Sequence, residues 1–207
     1  HSLRLDAHGA NISIENGGTV ISQLRFYGSR NADQTVISSI TLKDGGKFET
    51  NGTSWLSGQA EGTSMFIFEQ TGGLATFAQK IQLSEENGNA LSSAIYKLSG
   101  GRLVLNGGVI YGAAGEYRDD ASMDRGETAG EYRNAVGGKI EFTGGEIVAD
   151  GLSINLDNEG GKLVVGLSDS TASVFTASAS GITYRQRAAG GLQLDVFSKT
   201  SFDKVNY

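Results

Sequence analysis

Short stretches of alternating apolar and polar residues recur along the chain, and several of them run into a pair of glycines. ISIENGG ends at Gly18, ITLKDGG at Gly46, FIFEQTGG at Gly73 and IYKLSGG at Gly101. After each pair another short alternating or apolar stretch begins: TVISQL, KFET, LATFAQKIQL and RLVL. Later come KIEF, KLVV and LQLDV, each just after a glycine pair. A period of two puts successive side chains on opposite faces of a strand. The unit therefore reads as strand, Gly-Gly corner, strand, variable loop. Gly17, Gly45, Gly72 and Gly100 open pairs that are 28, 27 and 28 residues apart. A unit of that size cannot bury its own apolar face, whereas stacked units bury it in one continuous core. A glycine at the corner lets the chain turn through positive φ without a Cβ clash.

The pattern predicts an all-β chain, a parallel β-solenoid (a right-handed β-helix) with 27–28-residue coils. Its glycine pairs should lie above one another at about one strand spacing, ~4.8 Å. The alternative is an antiparallel β-sandwich or jelly roll built from the same strands joined as hairpins. Propeller blades need about 40–50 residues and do not match the spacing. The predicted core column comprises Ile12, Ile14, Ile40, Leu42, Phe66, Phe68, Leu103, Leu105, Ile140, Phe142, Leu163 and Val165. In IYKLSGG, Ile95 and Lys97 share one face and Tyr96 and Leu98 the other, which predicts a local departure from uniform register. Trp55, in TNGTSWLSG, is expected to fill the core or a corner.

The repeat breaks after Tyr111. Pairing the glycines at 137–138 with Gly100–Gly101 gives a step of 37 residues, hence an insertion of about ten. The expectation is one domain, 1–207, with a loop insertion at about 112–136. Insertions in solenoids project from one side of the stack, where ligands often bind. GEYR occurs twice in this one, at 115–118 and 130–133. The candidate ligand-binding residues are Glu116, Tyr117, Arg118, Asp119, Asp120, Asp124, Tyr132 and Arg133. Paired carboxylates are what glycoside hydrolysis requires, tyrosine rings stack on sugars, and clustered oxygen ligands suit Ca²⁺. The plainer reading of the same residues is a solvated loop of mutually compensating charges.

Composition narrows the function classes. The 207 residues include 31 glycines and no proline or cysteine. Proline removes a donor from a ladder, so its absence suits strands paired on both sides. No disulfides form and zinc ligands are lacking, since the only histidines are His1 and His8. His1 is terminal, so a Ser-His-Asp triad would have to use His8; no catalytic residues are assigned and an enzyme is not expected. The formal net charge of −6 with no basic stripe argues against nucleic acid as a partner. No run approaches the ~18 apolar residues of a transmembrane segment. A first residue of His1 is taken as that of a processed or trimmed chain. Thr19, Thr50, Thr71 and Thr143 share no motif position, so a flat threonine ladder for binding ice is not expected.

The stretches FEQTGGLATF, IYKLSGGRLVLNGG and KIEFTGGEIVADG resemble repeats of large bacterial surface proteins. These are the autotransporter-associated β-strand repeats and the PEP-CTERM-type secreted proteins. The resemblance covers about residues 60–165 and implies an exported, cell-surface β-helix with no catalytic residues. The expected function is an extracellular structural or adhesive surface module, secreted or held at the cell surface, without a cofactor. Its partners would be other copies or other surface proteins. Both ends carry alternating strands, SLRLDAHGANISIE and LQLDVFSKTSF, with no helical cap, so end-to-end self-assembly is expected. The alternative is a carbohydrate-binding or polysaccharide-degrading β-helix acting through the 112–136 insertion.

Overall fold

The computed structural model describes residues 3–5, 10–23, 26–27, 37–56, 65–79, 81–83, 93–106, 109–110, 139–149, 156–165, 174–176, 184–193 and 204–206. Its strands stack as a parallel β-solenoid, and every described strand pair is parallel. That removes the antiparallel sandwich. A five-stranded stack holds β1 (Leu3–Arg4), β4 (Phe26–Tyr27), β7 (Ser54–Trp55), β9 (Ile81–Gln82) and β11 (Val109–Ile110). The stack entering the glycine corner holds β2 (Asn11–Ile14), β5 (Ile37–Leu42), β12 (Lys139–Phe142), β14 (Leu156–Asn158) and β17 (Tyr184–Gln186). The stack leaving it holds β3 (Thr19–Ser22), β6 (Lys47–Thr50), β13 (Glu146–Ala149), β15 (Lys162–Val165) and β18 (Gly191–Gln193). Two long strands, β8 (Met65–Phe77) and β10 (Ser93–Leu105), pass through the corner and belong to both of these stacks, uniting them as one 12-stranded sheet. A separate pair is formed by β16 (Val174–Thr176) and β19 (Lys204–Asn206).

Register follows the inward side chains. One column runs Ile12, Ile40, Phe68, Tyr96, Ile140, and the next runs Ile14, Leu42, Gln70, Leu98, Phe142, Asn158. Beyond the corner a third runs Val20, Phe48, Ala75, Leu103, Ile147, Leu163, Leu192. Eleven of the predicted core residues are buried. Ile12 is only partly buried because it lies on the outermost coil, with no described strand beyond it. The register at Ile95 does not depart from its neighbours: Ala94, Tyr96 and Leu98 continue the inward columns. Trp55 is half-buried in the five-stranded stack and stands outside the core cluster formed by its neighbours Leu56 and Ile81.

The step across the long loop also differs from the expected 37 residues. Tyr96 pairs with Ile140 before the corner and Leu103 with Ile147 after it, so Gly144–Gly145 lie over Gly100–Gly101. The step is therefore 44 residues, and the next, from Phe142 to Asn158, is 16. KIEF alternates equally well before or after a corner. Only the two ladders on either side of Thr143–Gly145 decide which glycine pair turns.

The core concentrates aromatic rings next to the corner. Phe68 stacks on Tyr96 with centroids 4.6 Å apart, and Phe48 and Phe77 meet Phe68 edge-on at 5.1 and 6.2 Å. Such offset and edge contacts add to area burial. A polar knot sits among them. The buried Tyr96 hydroxyl donates to Gln70 Oε1 at 2.6 Å. Gln70 Nε2 in turn donates to the carbonyls of Gly73 (3.2 Å) and Arg102 (3.0 Å). Buried polar atoms need such partners, and Gln70 thereby ties the two sides of the corner together.

Candidate interaction surface

The outward side chains decide what the solenoid offers to solvent. Along the corner, Arg102 Nε lies 3.1 Å from Glu146 Oε2, and Lys162 Nζ lies 3.4 Å from Glu146 Oε1. Cation, anion and cation thus alternate from coil to coil. Lys43 Nζ reaches Glu15 Oε2 at 3.0 Å, one coil apart. On the strand before the corner, Glu69, Lys97 and Glu141 stack in register with alternating sign. Neutral pairs do likewise: Ser39 Oγ donates to Asn11 Oδ1 (2.6 Å) and Asn51 Nδ2 to Gln23 Oε1 (3.2 Å), each across 28 residues. Exposed pairs of this kind contribute ~0–1 kcal/mol each. Their larger effect is to favour one alignment of neighbouring coils.

The corners fall into two classes. Four-residue corners follow Ile14, Leu42 and Gln186, whereas three-residue corners follow Gln70, Leu98, Phe142 and Asn158. Each four-residue corner is closed by a hydrogen bond from its fourth residue to its first. Gly18 N donates to Glu15 O (2.9 Å), Gly46 N to Lys43 O (3.0 Å) and Gly190 N to Arg187 O (3.0 Å). Their backbones differ: Asn16 and Gly17 both take positive φ in the first corner, Gly45 alone does in the second, and no residue of the last does. The leading side chains are Glu15, Lys43 and Arg187, all exposed.

Among the described residues the 12-stranded sheet runs from β2 and β3 to β17 and β18. Among the described residues β2 pairs only with β5 and β3 only with β6, while β17 pairs only with β14 and β18 only with β15. Inward columns are left incompletely covered there. Ile12 and Val20 are partly buried at one end, and Leu192 is 39% exposed at the other. Ile21, on the outer face of β3, is 48% exposed.

The eight residues singled out from the sequence, Glu116, Tyr117, Arg118, Asp119, Asp120, Asp124, Tyr132 and Arg133, lie outside the described residues, as does the whole 112–136 segment. Among the described residues no three His, Cys, Asp or Glu side chains gather as a metal site requires. No described helix is long and apolar enough to cross a membrane. Burial holds the Tyr96 phenol well above its ordinary pKa, which keeps it protonated as a donor to Gln70. That group is structural, enclosed between Phe68 and Phe77. Compared with protein families, curated proteins and solved structures, the chain matches none. Sequence reasoning missed the two corner lengths. Their signal was present in the spacing: ENGG, KDGG and RAAG each insert one residue more than TGG, SGG or EGG.

Proposed function

We propose that the chain is an extracellular structural module, displayed at a cell surface, that assembles end to end into longer rods. The observation that carries this reading is the state of the two end coils. Strands there have one described neighbour each, and core-column side chains (Ile12, Val20, Leu192) stand partly uncovered. Repeat proteins that stay single cover such ends with polar caps. Unpaired strand edges otherwise recruit further strands. The sides of the rod, by contrast, pair their charges coil to coil and favour solubility. The likeness of its Gly-Gly strand repeats to those of bacterial surface proteins supports the placement at the surface. Multi-angle light scattering over a concentration series, with electron microscopy of the same samples, tests the proposal. Rods that lengthen with concentration at constant width are expected; a strictly monomeric chain at the highest concentration would overturn it.

A further inference from the structure

We propose that the turn between β6 and β7 is a site of covalent self-modification: the Asn51 side chain closes on the main-chain nitrogen of Gly52 and is converted, through a cyclic succinimide, to aspartate and isoaspartate. This does not depend on how the chain assembles.

Four asparagines precede a glycine: Asn16, Asn51, Asn87 and Asn106. A following glycine favours the closure, because no Cβ crowds the attacking nitrogen. The sequence therefore ranks the four alike. Asn87 and Gly107 lie outside the described residues, so the fold discriminates between Asn16 and Asn51, both of them exposed.

The backbone separates these two. In the first corner Asn16 N donates to Asp44 O (3.1 Å) and Gly17 N to Gly45 O (3.0 Å). The nitrogen that would attack Asn16 is thus held by the next coil, and freeing it means opening the corner. Asn51 lies one residue beyond β6, where the ladder ends. Its own nitrogen donates to Ser22 O (3.0 Å), but Gly52 N donates to no described residue. The Asn51 side chain is tied only at the surface, Nδ2 donating to Gln23 Oε1 at 3.2 Å. An exposed bond of this kind exchanges with water and restrains the amide less than the ladder restrains Gly17 N.

The reaction balances with a single water. Gly52 N loses its proton to solvent base and attacks Asn51 Cγ. The new Cγ–N bond forms, the Cγ–Nδ2 bond breaks, and Nδ2 leaves as ammonia. Water then opens either carbonyl of the imide, giving aspartate or, where the main chain is rerouted through Cγ, isoaspartate. Both products add a negative charge and remove the donor that met Gln23 Oε1, so that link to the preceding coil is lost. Isoaspartate also lengthens the main chain by one methylene between Thr50 and Ser54. Those residues are buried and joined by Ser54 Oγ donating to Thr50 Oγ1 at 2.9 Å. A close-packed interior registers a change of that size.

Peptide mapping by mass spectrometry tests the proposal. The full chain is incubated in mildly alkaline buffer, either native or unfolded in urea, and aspartate and isoaspartate peptides are separated by chromatography. In the native chain Asn51 is expected to convert at least roughly tenfold faster than Asn16, the ratio that ~1.4 kcal/mol for releasing Gly17 N would set. In urea, where both are plain Asn-Gly pairs, the two rates should converge. Gly52→Ala should slow conversion at Asn51 severalfold and leave Asn16 unchanged. Gly52 does not take positive φ, so alanine carries no left-handed penalty there. Equal rates at the two sites in the native chain, or an Asn51 that stays intact until the chain is unfolded, rules the proposal out.

Discussion

Gly17, in a four-residue corner, and Gly73, in a three-residue one, both turn the chain, yet replacing each with alanine should cost different amounts. Both adopt positive φ, +85° at Gly17 and +68° at Gly73. An alanine there carries a left-handed penalty of roughly 1–2 kcal/mol. At Gly17 nothing further is added, since a new Cβ meets no atom within 4 Å. At Gly73 the Cβ would collide with Gly46 O and lie 2.6 Å from Lys43 O, backbone atoms of the adjoining coil. That coil must shift, and forcing extra volume into a packed site costs typically ~1–3 kcal/mol more. Gly17→Ala should therefore lose about 1–2 kcal/mol and Gly73→Ala about 2–5 kcal/mol. Urea unfolding followed by far-UV circular dichroism, at a concentration below assembly, measures both. Equal losses would refute the stacking of these corners, since it is the neighbouring coil, not the glycine's own conformation, that separates them.

Tyr96→Phe leaves Gln70 Oε1 without the donor 2.6 Å away in a fully buried position, and should cost ~1–3 kcal/mol. Gln70→Leu alone strands the Tyr96 hydroxyl in turn, so the double variant should lose less than the sum of the two; additive losses in a double-mutant cycle would deny the coupling. The same phenol sets an alkaline limit. Its folded pKa is raised, so its stabilising contribution is full below the unfolded value of ~10 and falls as pH climbs toward the folded one, by ~1.4 kcal/mol per unit. The stability of Tyr96→Phe should decline less steeply than that of the parent above pH ~10, and parallel curves would contradict the assignment. Glu146→Gln leaves Arg102 and Lys162 without their shared anion on an exposed edge. A loss of no more than about 1 kcal/mol, smaller still in high salt, is expected from the urea midpoint.

The solenoid was legible in the sequence because its two causes are local and repeated. Alternation of apolar residues marks the strands, and paired glycines mark a turn that few other residues tolerate. The same signals could not locate the coil boundary after Leu105. KIEF and EIVA alternate alike, and each is preceded by a glycine pair, so the sequence left a step of 37 residues as plausible as the 44 that the ladders show. Nor could alternation tell inward from outward in IYKL, where both faces carry apolar residues; stacking on Phe66 and Phe68 settled it for Ala94 and Tyr96. Polar residues inside the core, such as Gln70 and Asn158, break the apolar pattern in one dimension and fit only once their partners arrive from other coils. Local chemistry determined that strands form and where the chain can turn. Which strand lies on which, and hence what the two ends present, was decided by side chains meeting across coils, because a ladder's alignment is a property of pairs and no single segment contains it.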